Sequence, residues 1–161
     1  GLSDGDLLDE PIFTPAYKAP LGEHDENITM VQTAELVGED TAEALKQLSL
    51  AIFTRARDIA AARGLVLADT KFEFGRDPHT GELVLADEVL TSDSSRFWDA
   101  DVYARETGSA RMESFDKQIV RNWLKANWDG EGVPPVLPDE IVERTRARYE
   151  ELYERLTGSA R

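Results

Sequence analysis

The run Leu67-Ala68-Asp69-Thr70-Lys71-Phe72-Glu73-Phe74-Gly75 places an acid, a base and an acid two residues apart. Strand residues two apart share a face and sit roughly 6.6 Å from one another. Asp69, Lys71 and Glu73 would therefore line one face, and Thr70, Phe72 and Phe74 the other. The second face suits burial; the first has the composition of a charged site. After a turn through Asp77-Pro78-His79-Thr80-Gly81, a second strand closes on Leu85-Ala86-Asp87-Glu88. In one register Asp87 faces Glu73 across the ladder, and a one-residue slip turns it away. Facing carboxylates repel unless a cation lies between them. An oxygen-only set with few protein ligands suits Mg²⁺, which keeps waters and binds substrate phosphates. The competing reading is an exposed salt-bridge ladder in which Lys71 neutralises both acids.

Three further groups have chemical content. Thr91-Ser92-Asp93-Ser94-Ser95-Arg96 follows the second strand; hydroxyls beside a guanidinium fork can cradle an anion, with Ser95 and Arg96 at its centre. Its plainer reading is a polar loop that drops Phe97 and Trp98 into the core. Lys117 and Arg121 lie four apart, on the helix face opposite Trp123. Like charges at that spacing repel mildly, and a bound phosphate would reverse the sign. Asp116 or Glu113 would also relieve the pair on a solvated face. Lys18 with His24-Asp25-Glu26-Asn27 has the mixed polarity of a binding loop or of an exposed turn. His24 and His79 are too few and too distant to indicate zinc, and no serine sits in a nucleophile-elbow pattern.

These side chains need a scaffold, and the periodicities predict one. Residues 1–28 carry Pro11, Pro15 and Pro20, with seven acids against the single base Lys18. They read as an extended segment ordered by a ligand or partner, ahead of a domain over 29–161. Thr29 and Gln32 form a capping-box pattern for a short helix to Val37. Asp40 and Glu43 offer a second cap for a helix to about Arg63, stopped by Gly64, with Leu45, Leu48, Ile52 and Ile59 inward. A hairpin of strands 65–74 and 82–90 follows, then an irregular stretch over 91–113. A helix from Ser114 to Ala126 buries Phe115, Ile119 and Trp123. A loop over 130–138 leads to a last helix, Asp139 to Leu156, with Ile141, Tyr149, Leu152 and Leu156 inward and Gly158 as its stop. Thr-Gly-Ser-Ala-Arg occurs at 107–111 and 157–161, too short to be a structural repeat. The expected fold class is α+β: a short antiparallel sheet with helices packed on one side.

Composition narrows the function. The chain has 161 residues, enough for one domain with a core. Its 18 basic and 32 acidic residues give a net charge of −14, which argues against nucleic acid as a partner. A small phosphorylated ligand needs only a few local cations. No cysteine is present, which excludes disulfides and thiolate metal sites and fits a reducing, cytoplasmic setting. No apolar run approaches the roughly 20 residues that cross a bilayer, so no membrane partner is expected. Gly1-Leu2-Ser3-Asp4 does not resemble a secretory signal, and a chain that opens without methionine is expected to be processed or partial.

Taken in order, the segments resemble the SAICAR synthetase (phosphoribosylaminoimidazole-succinocarboxamide synthase) family of purine biosynthesis. Residues 67–75 fit that family's second signature throughout. Pro11-Ile12-Phe13-Thr14-Pro15, His24-Asp25-Glu26-Asn27-Ile28, Asp93-Ser94-Ser95-Arg96-Phe97-Trp98 and Ser114-Phe115-Asp116-Lys117-Gln118 occur in the family's order. Tyr17 stands where the family often has threonine, and Ser92 where proline is common. The resemblance implies the C-terminal portion of a kinase-like two-lobe fold, with the N-terminal nucleotide-binding lobe absent from this chain. It implies an ATP-dependent ligase that joins carboxyaminoimidazole ribotide to L-aspartate through an activated carboxylate. Glu73 and Asp87 would then correspond to Mg²⁺ and ATP ligands and Lys18 to an ATP contact. Asp69, Lys71 and Arg96 would serve the ribotide, Lys117 and Arg121 its phosphate, and His24, Asp25 and Glu26 the aspartate pocket. The alternative is an inactive half that binds ribotide or helps assembly. An unrelated kinase-like phosphotransferase explains the acid-rich hairpin but not the segments at 93–98 and 114–118.

Overall fold

The computed structural model describes residues 1–18 and 25–158. The chain is α+β, and among the described residues the strands form three separate two-stranded antiparallel ladders. In chain order the elements are β1 (Ala16–Tyr17), β2 (Glu26–Asn27), α1 (Met30–Val37), α2 (Glu39–Ala61), β3 (Leu65–Thr70), β4 (Glu73–Arg76), β5 (Leu83–Ala86), β6 (Ser95–Asp99), α3 (Ala100–Arg105), a 3₁₀ turn (Gly108–Met112), α4 (Gln118–Asn127) and α5 (Asp139–Thr157). They form two compact units, Leu7–Arg55 and Gly1–Asp6 with Ala56–Arg161.

The larger unit is built on β3 and β6. Leu65 and Leu67 alternate into the core at 1% and 3% exposure and pair with Asp99 and Phe97. Strict alternation would carry Asp69 inward after them. The register instead shifts between Leu67 and Asp69, so that Ala68 has no partner of its own. This bulge turns Asp69 outward opposite Arg96 and Thr70 inward opposite the buried Ser95. β6 thus alternates Ser95 and Phe97 inward with Arg96 outward. The stretch expected to be irregular over 91–113 therefore contains a core strand, α3 and the 3₁₀ turn. Its polar residues are the outward and hydrogen-bonded half of that alternation.

The expected single strand over 65–74 is two strands with different partners. β3 pairs with β6, and Lys71 extends that ladder by one bond, its amide donating to the Ser94 carbonyl at 2.8 Å. The chain then leaves for β4, which pairs with β5. The β4–β5 turn is held by Asp77, whose carboxylate accepts from the His79 and Thr80 amides at 2.8 and 3.0 Å. The Thr80 and then the His79 amide hold that carboxyl below its ordinary range. His79 is a turn residue.

Phe97, Phe115, Leu65 and Leu152 centre the core. Phe115 lies before α4 rather than within it: its amide donates to the Phe97 carbonyl, and Ser114 bridges to Trp98. α4 consequently starts later than the periodicity predicts. α5 packs against α4 and carries Arg148 and Arg155 to 5.0 and 5.3 Å from the Phe115 ring centre. It stops as expected at Gly158, in the left-handed region. The segment Gly1–Asp6 docks through Gly5, whose carbonyl accepts from Tyr103 Oη at 2.7 Å, and through Asp6, 3.2 Å from Arg111. Tyr103 in turn stacks on Trp98 and lies under the Arg111 guanidinium.

In the smaller unit, β1 and β2 form a minimal hairpin. Thr29 and Gln32 make the expected capping box at α1, each side chain meeting the other's amide. α2 begins directly after Gly38, so Asp40 sits in its first turn instead of capping it. In the part of α2 within this unit Leu48, expected inward, is 41% exposed and Ala42 is buried; in the part that belongs to the larger unit Ile59, also expected inward, is 50% exposed and Ala56 and Ala60 are buried. The buried stripe of α2 consists of small residues, which a reading weighted toward large apolar side chains passes over.

Asp99 ends β6 and caps α3, accepting from the Val102 amide at 2.9 Å while pairing with Arg155 at 2.9 Å. The Val102 amide, with Arg155 assisting, holds its carboxyl below the usual range. A depressed carboxyl stabilises the fold above its unfolded pKa of about 3.9 and loses that contribution as pH falls through the lower folded value. Asp99→Asn keeps the cap but drops the charge. It should cost about 1–2 kcal/mol at pH 7, a gap that narrows in urea melts as pH falls below the unfolded carboxyl range; a gap independent of pH would refute this account.

Candidate functional site

The outward face of the β3–β6 ladder holds the first pair. Arg96 Nε and Nη2 meet Asp69 Oδ1 and Oδ2 at 2.8 and 2.5 Å. This is a fork-to-fork contact across one register step. Asp69's hydrogen bonds push the Arg96 guanidinium further above its ordinary range. Both side chains remain about half exposed, at 55% for Arg96 and 52% for Asp69.

On the inner side of the same step lies a run of hydroxyls. Thr70 Oγ1 is 2.8 Å from Ser95 Oγ, which is 3.2 Å from Ser94 Oγ. Ser94 Oγ accepts from the Thr91 amide at 3.0 Å and approaches Thr91 Oγ1, which donates to Glu88. The loop between β5 and β6 is therefore tied to β3 through side chains. Ser95 is a buried member of this network.

Lys71 and Glu73 share a face as alternation requires, with Nζ and Oε1 3.1 Å apart. Asp69 is not part of that pair, because the bulge assigns it to Arg96. Asp87 does not face Glu73 either. Glu73 pairs with Ala86, and Asp87 follows one residue past the end of the ladder. Its φ is +61°, a left-handed conformation that Asp tolerates better than most residues and that recurs at functional sites. Glu73 and Asp87 thus share one end of a hairpin without being directly opposed.

Lys117 precedes α4, its Nζ 3.6 Å from Asp93 Oδ1, and Arg121 is exposed one turn further on. The same Asp93 oxygen accepts from Tyr149 Oη of α5 at 3.0 Å. Burial and then Asp93 push the Tyr149 phenol up to about 12, so it remains a hydrogen-bond donor. Neither Asp93 nor Tyr149 stood out in the sequence as a site residue. Tyr149 fell on an apolar helical stripe, and the only available signal was that a half-buried phenol needs a polar partner. Lys18, Asp25 and Glu26 lie in the Leu7–Arg55 unit, around the β1–β2 hairpin, where Glu26 pairs with Tyr17. His24 lies outside the described residues.

The SAICAR synthetase family model matches residues 1–134, a span that contains every residue of the constellation described above except Tyr149. The chain belongs to the SAICAR synthetase family. A phosphoribosylaminoimidazole-succinocarboxamide synthase of Leifsonia xyli subsp. xyli is 65% identical over 99% of this chain and 54% of its own length. Among solved structures, a SAICAR-synthase from Saccharomyces cerevisiae complexed with SAICAR superposes with a TM-score of 0.83 at 45% identity, covering 100% of this chain and 51% of that one. A SAICAR synthetase in complex with ADP gives 0.72 at 30% identity, over 99% of this chain and 56% of that one. The chain spans about half the length of the relatives it matches. The family match ends ahead of α5.

An exposed ion pair contributes little to folding, about 0–1 kcal/mol. Arg96→Lys, which keeps the charge and loses the fork, should therefore shift the thermal midpoint of this chain by no more than a few degrees. A loss of folding would show that the pair is a structural element.

Proposed function

We propose that this chain supplies the ribotide-handling and phosphate-handling part of an ATP-dependent ligase. The reaction joins carboxyaminoimidazole ribotide to L-aspartate and gives SAICAR, ADP and phosphate. The observation that supports it best is the Asp69–Arg96 fork two residues along the chain from the Lys71–Glu73 pair. It lies within a chain that superposes along its full length on a SAICAR-synthase solved with SAICAR.

In this reading Arg96 and Lys71 are the cations that receive the anionic ribotide, and Asp69 fixes the Arg96 plane. Lys117 and Arg121 face its phosphate, and Lys18 meets ATP. His24, Asp25 and Glu26 contribute to the aspartate pocket. Ser95 acts by holding the loop that presents Arg96. Among the described residues no three carboxylates or histidines converge into a metal cage. Mg²⁺ in phosphoryl-transfer sites needs only one or two carboxylates alongside substrate phosphates, and Glu73 and Asp87 at one hairpin end suit that role. When bound, the ion neutralises charge on the phosphate oxygens. Lys71, 3.1 Å from Glu73, would orient it for the ion. A cytoplasmic setting, where ATP is available, suits this chemistry.

The test is a full-length chimera in which this chain replaces the matching half of the Leifsonia xyli relative, assayed for SAICAR formation. The chimera should turn over. Glu73→Gln should lower kcat by at least about 100-fold without altering the thermal midpoint, and full activity in that variant would remove the metal assignment. Asp69→Asn should raise KM for the ribotide at least as much as it lowers kcat, since the change loosens a binding cation; an effect on KM for ATP alone would argue against the ribotide role.

A further inference from the structure

Asp93 joins three elements through one carboxylate. It belongs to the loop ahead of β6, lies 3.6 Å from Lys117 at the start of α4, and accepts the Tyr149 hydroxyl of α5 at 3.0 Å. Both contacts converge on the same oxygen, Oδ1. The loop backbone is already fixed on its other side, where the Asp93 and Ser94 amides donate to Thr91 Oγ1 at 3.3 and 3.2 Å. The Asp93 carboxylate is 48% exposed and the Lys117 side chain 40%. An ion pair so exposed is held weakly by charge alone. A phenol anchored on a 19-residue helix is a far stiffer tether. It also draws charge from Oδ1, which lessens the repulsion an incoming phosphate would meet from Asp93.

We propose that Tyr149 is a positioning residue: through Asp93 it holds the Lys117 ammonium where the phosphate of a bound ribotide is received. This rests on the reading of Lys117 given above. At 3.6 Å the Asp93 contact is an ion pair and not a hydrogen bond, so it orients the ammonium without using up its three N–H donors. Asp93 also offsets the like-charge repulsion between Lys117 and Arg121, so the two cations can stay close before phosphate arrives. α5 thereby acts on the site although it lies past the family match.

The experiment measures SAICAR binding to the full-length chimera described above by calorimetry, with the corresponding nucleoside, lacking the phosphate, as control. Tyr149→Phe removes one oxygen and keeps the ring. It should weaken SAICAR binding about 10-fold, the scale of one hydrogen bond to a charged group, and leave nucleoside binding unchanged. Lys117→Met, an exposed change that spares the core, should weaken SAICAR more strongly. In that background Tyr149→Phe should add less than twofold. Equal losses for SAICAR and nucleoside, or additive effects of the two substitutions, would overturn the proposal. Hydrogen exchange provides a readout independent of ligand: the Asp93 and Ser94 amides should exchange faster in Tyr149→Phe, while the Leu152 amide on α5 does not change. Unaltered exchange at Asp93 and Ser94 overturns the tether itself. If the unsubstituted chimera fails to bind SAICAR, the substrate reading and the phosphate role fall together, and exchange still decides whether Tyr149 holds the loop.

Discussion

The bulge at Ala68 is the constraint on which the site depends. Leu65 and Leu67 must point inward to bury their side chains, and period two would then force Asp69 into the same core. A buried lone carboxylate would cost several kcal/mol or more. One unpaired residue resolves the conflict by moving Asp69 to the outer face and Thr70 to the inner one. Two consequences follow from the same step: Arg96 gains a carboxylate fork partner, and Ser95 gains a hydroxyl partner. Core and site are therefore set by one irregularity in β3.

Beyond the bulge, the strand changes partners. Lys71 is the last residue bonded to the β6 side, and Glu73 the first in the β4–β5 ladder. The short link between them carries the Lys71–Glu73 pair from one ladder to the next, so cations and acids assigned to different roles come from one continuous run of chain. α4 and α5 add a second tier from outside the strands. Lys117 and Tyr149 meet on Asp93, while Arg148 and Arg155 cover the Phe115 ring beneath.

Local rules were legible in the residues. The Thr29–Gln32 capping box, the Asp77 turn and the Gly158 stop each involve groups within a few positions of one another, and each forms as the spacing predicts. The acid-base-acid run announced a charged face, and the Lys71–Glu73 half of it is present. What local spacing could not convey was which strand pairs with which. The Asp69–Arg96 fork depends on a register shift between segments 27 residues apart. β6 escaped notice because its inward Ser95 is polar, so the alternation with Phe97 was masked. Tyr149 was visible as a stripe residue and invisible as a tether, since its partner lies 56 positions away.

Every strand among the described residues belongs to a two-stranded ladder, so each one is also an edge. Open edges invite strands from other molecules, and long apolar ones aggregate. Here the exposed margins carry Asp69, Lys71, Arg76 and Arg96, and Val84 and Leu85 on β5 are partly uncovered beside them. Charges placed at such margins discourage a foreign strand from docking. Arg96 and Lys71, read here as contacts for a small anion, thus also place charge beside short ladders, an arrangement that disfavours the addition of a foreign strand.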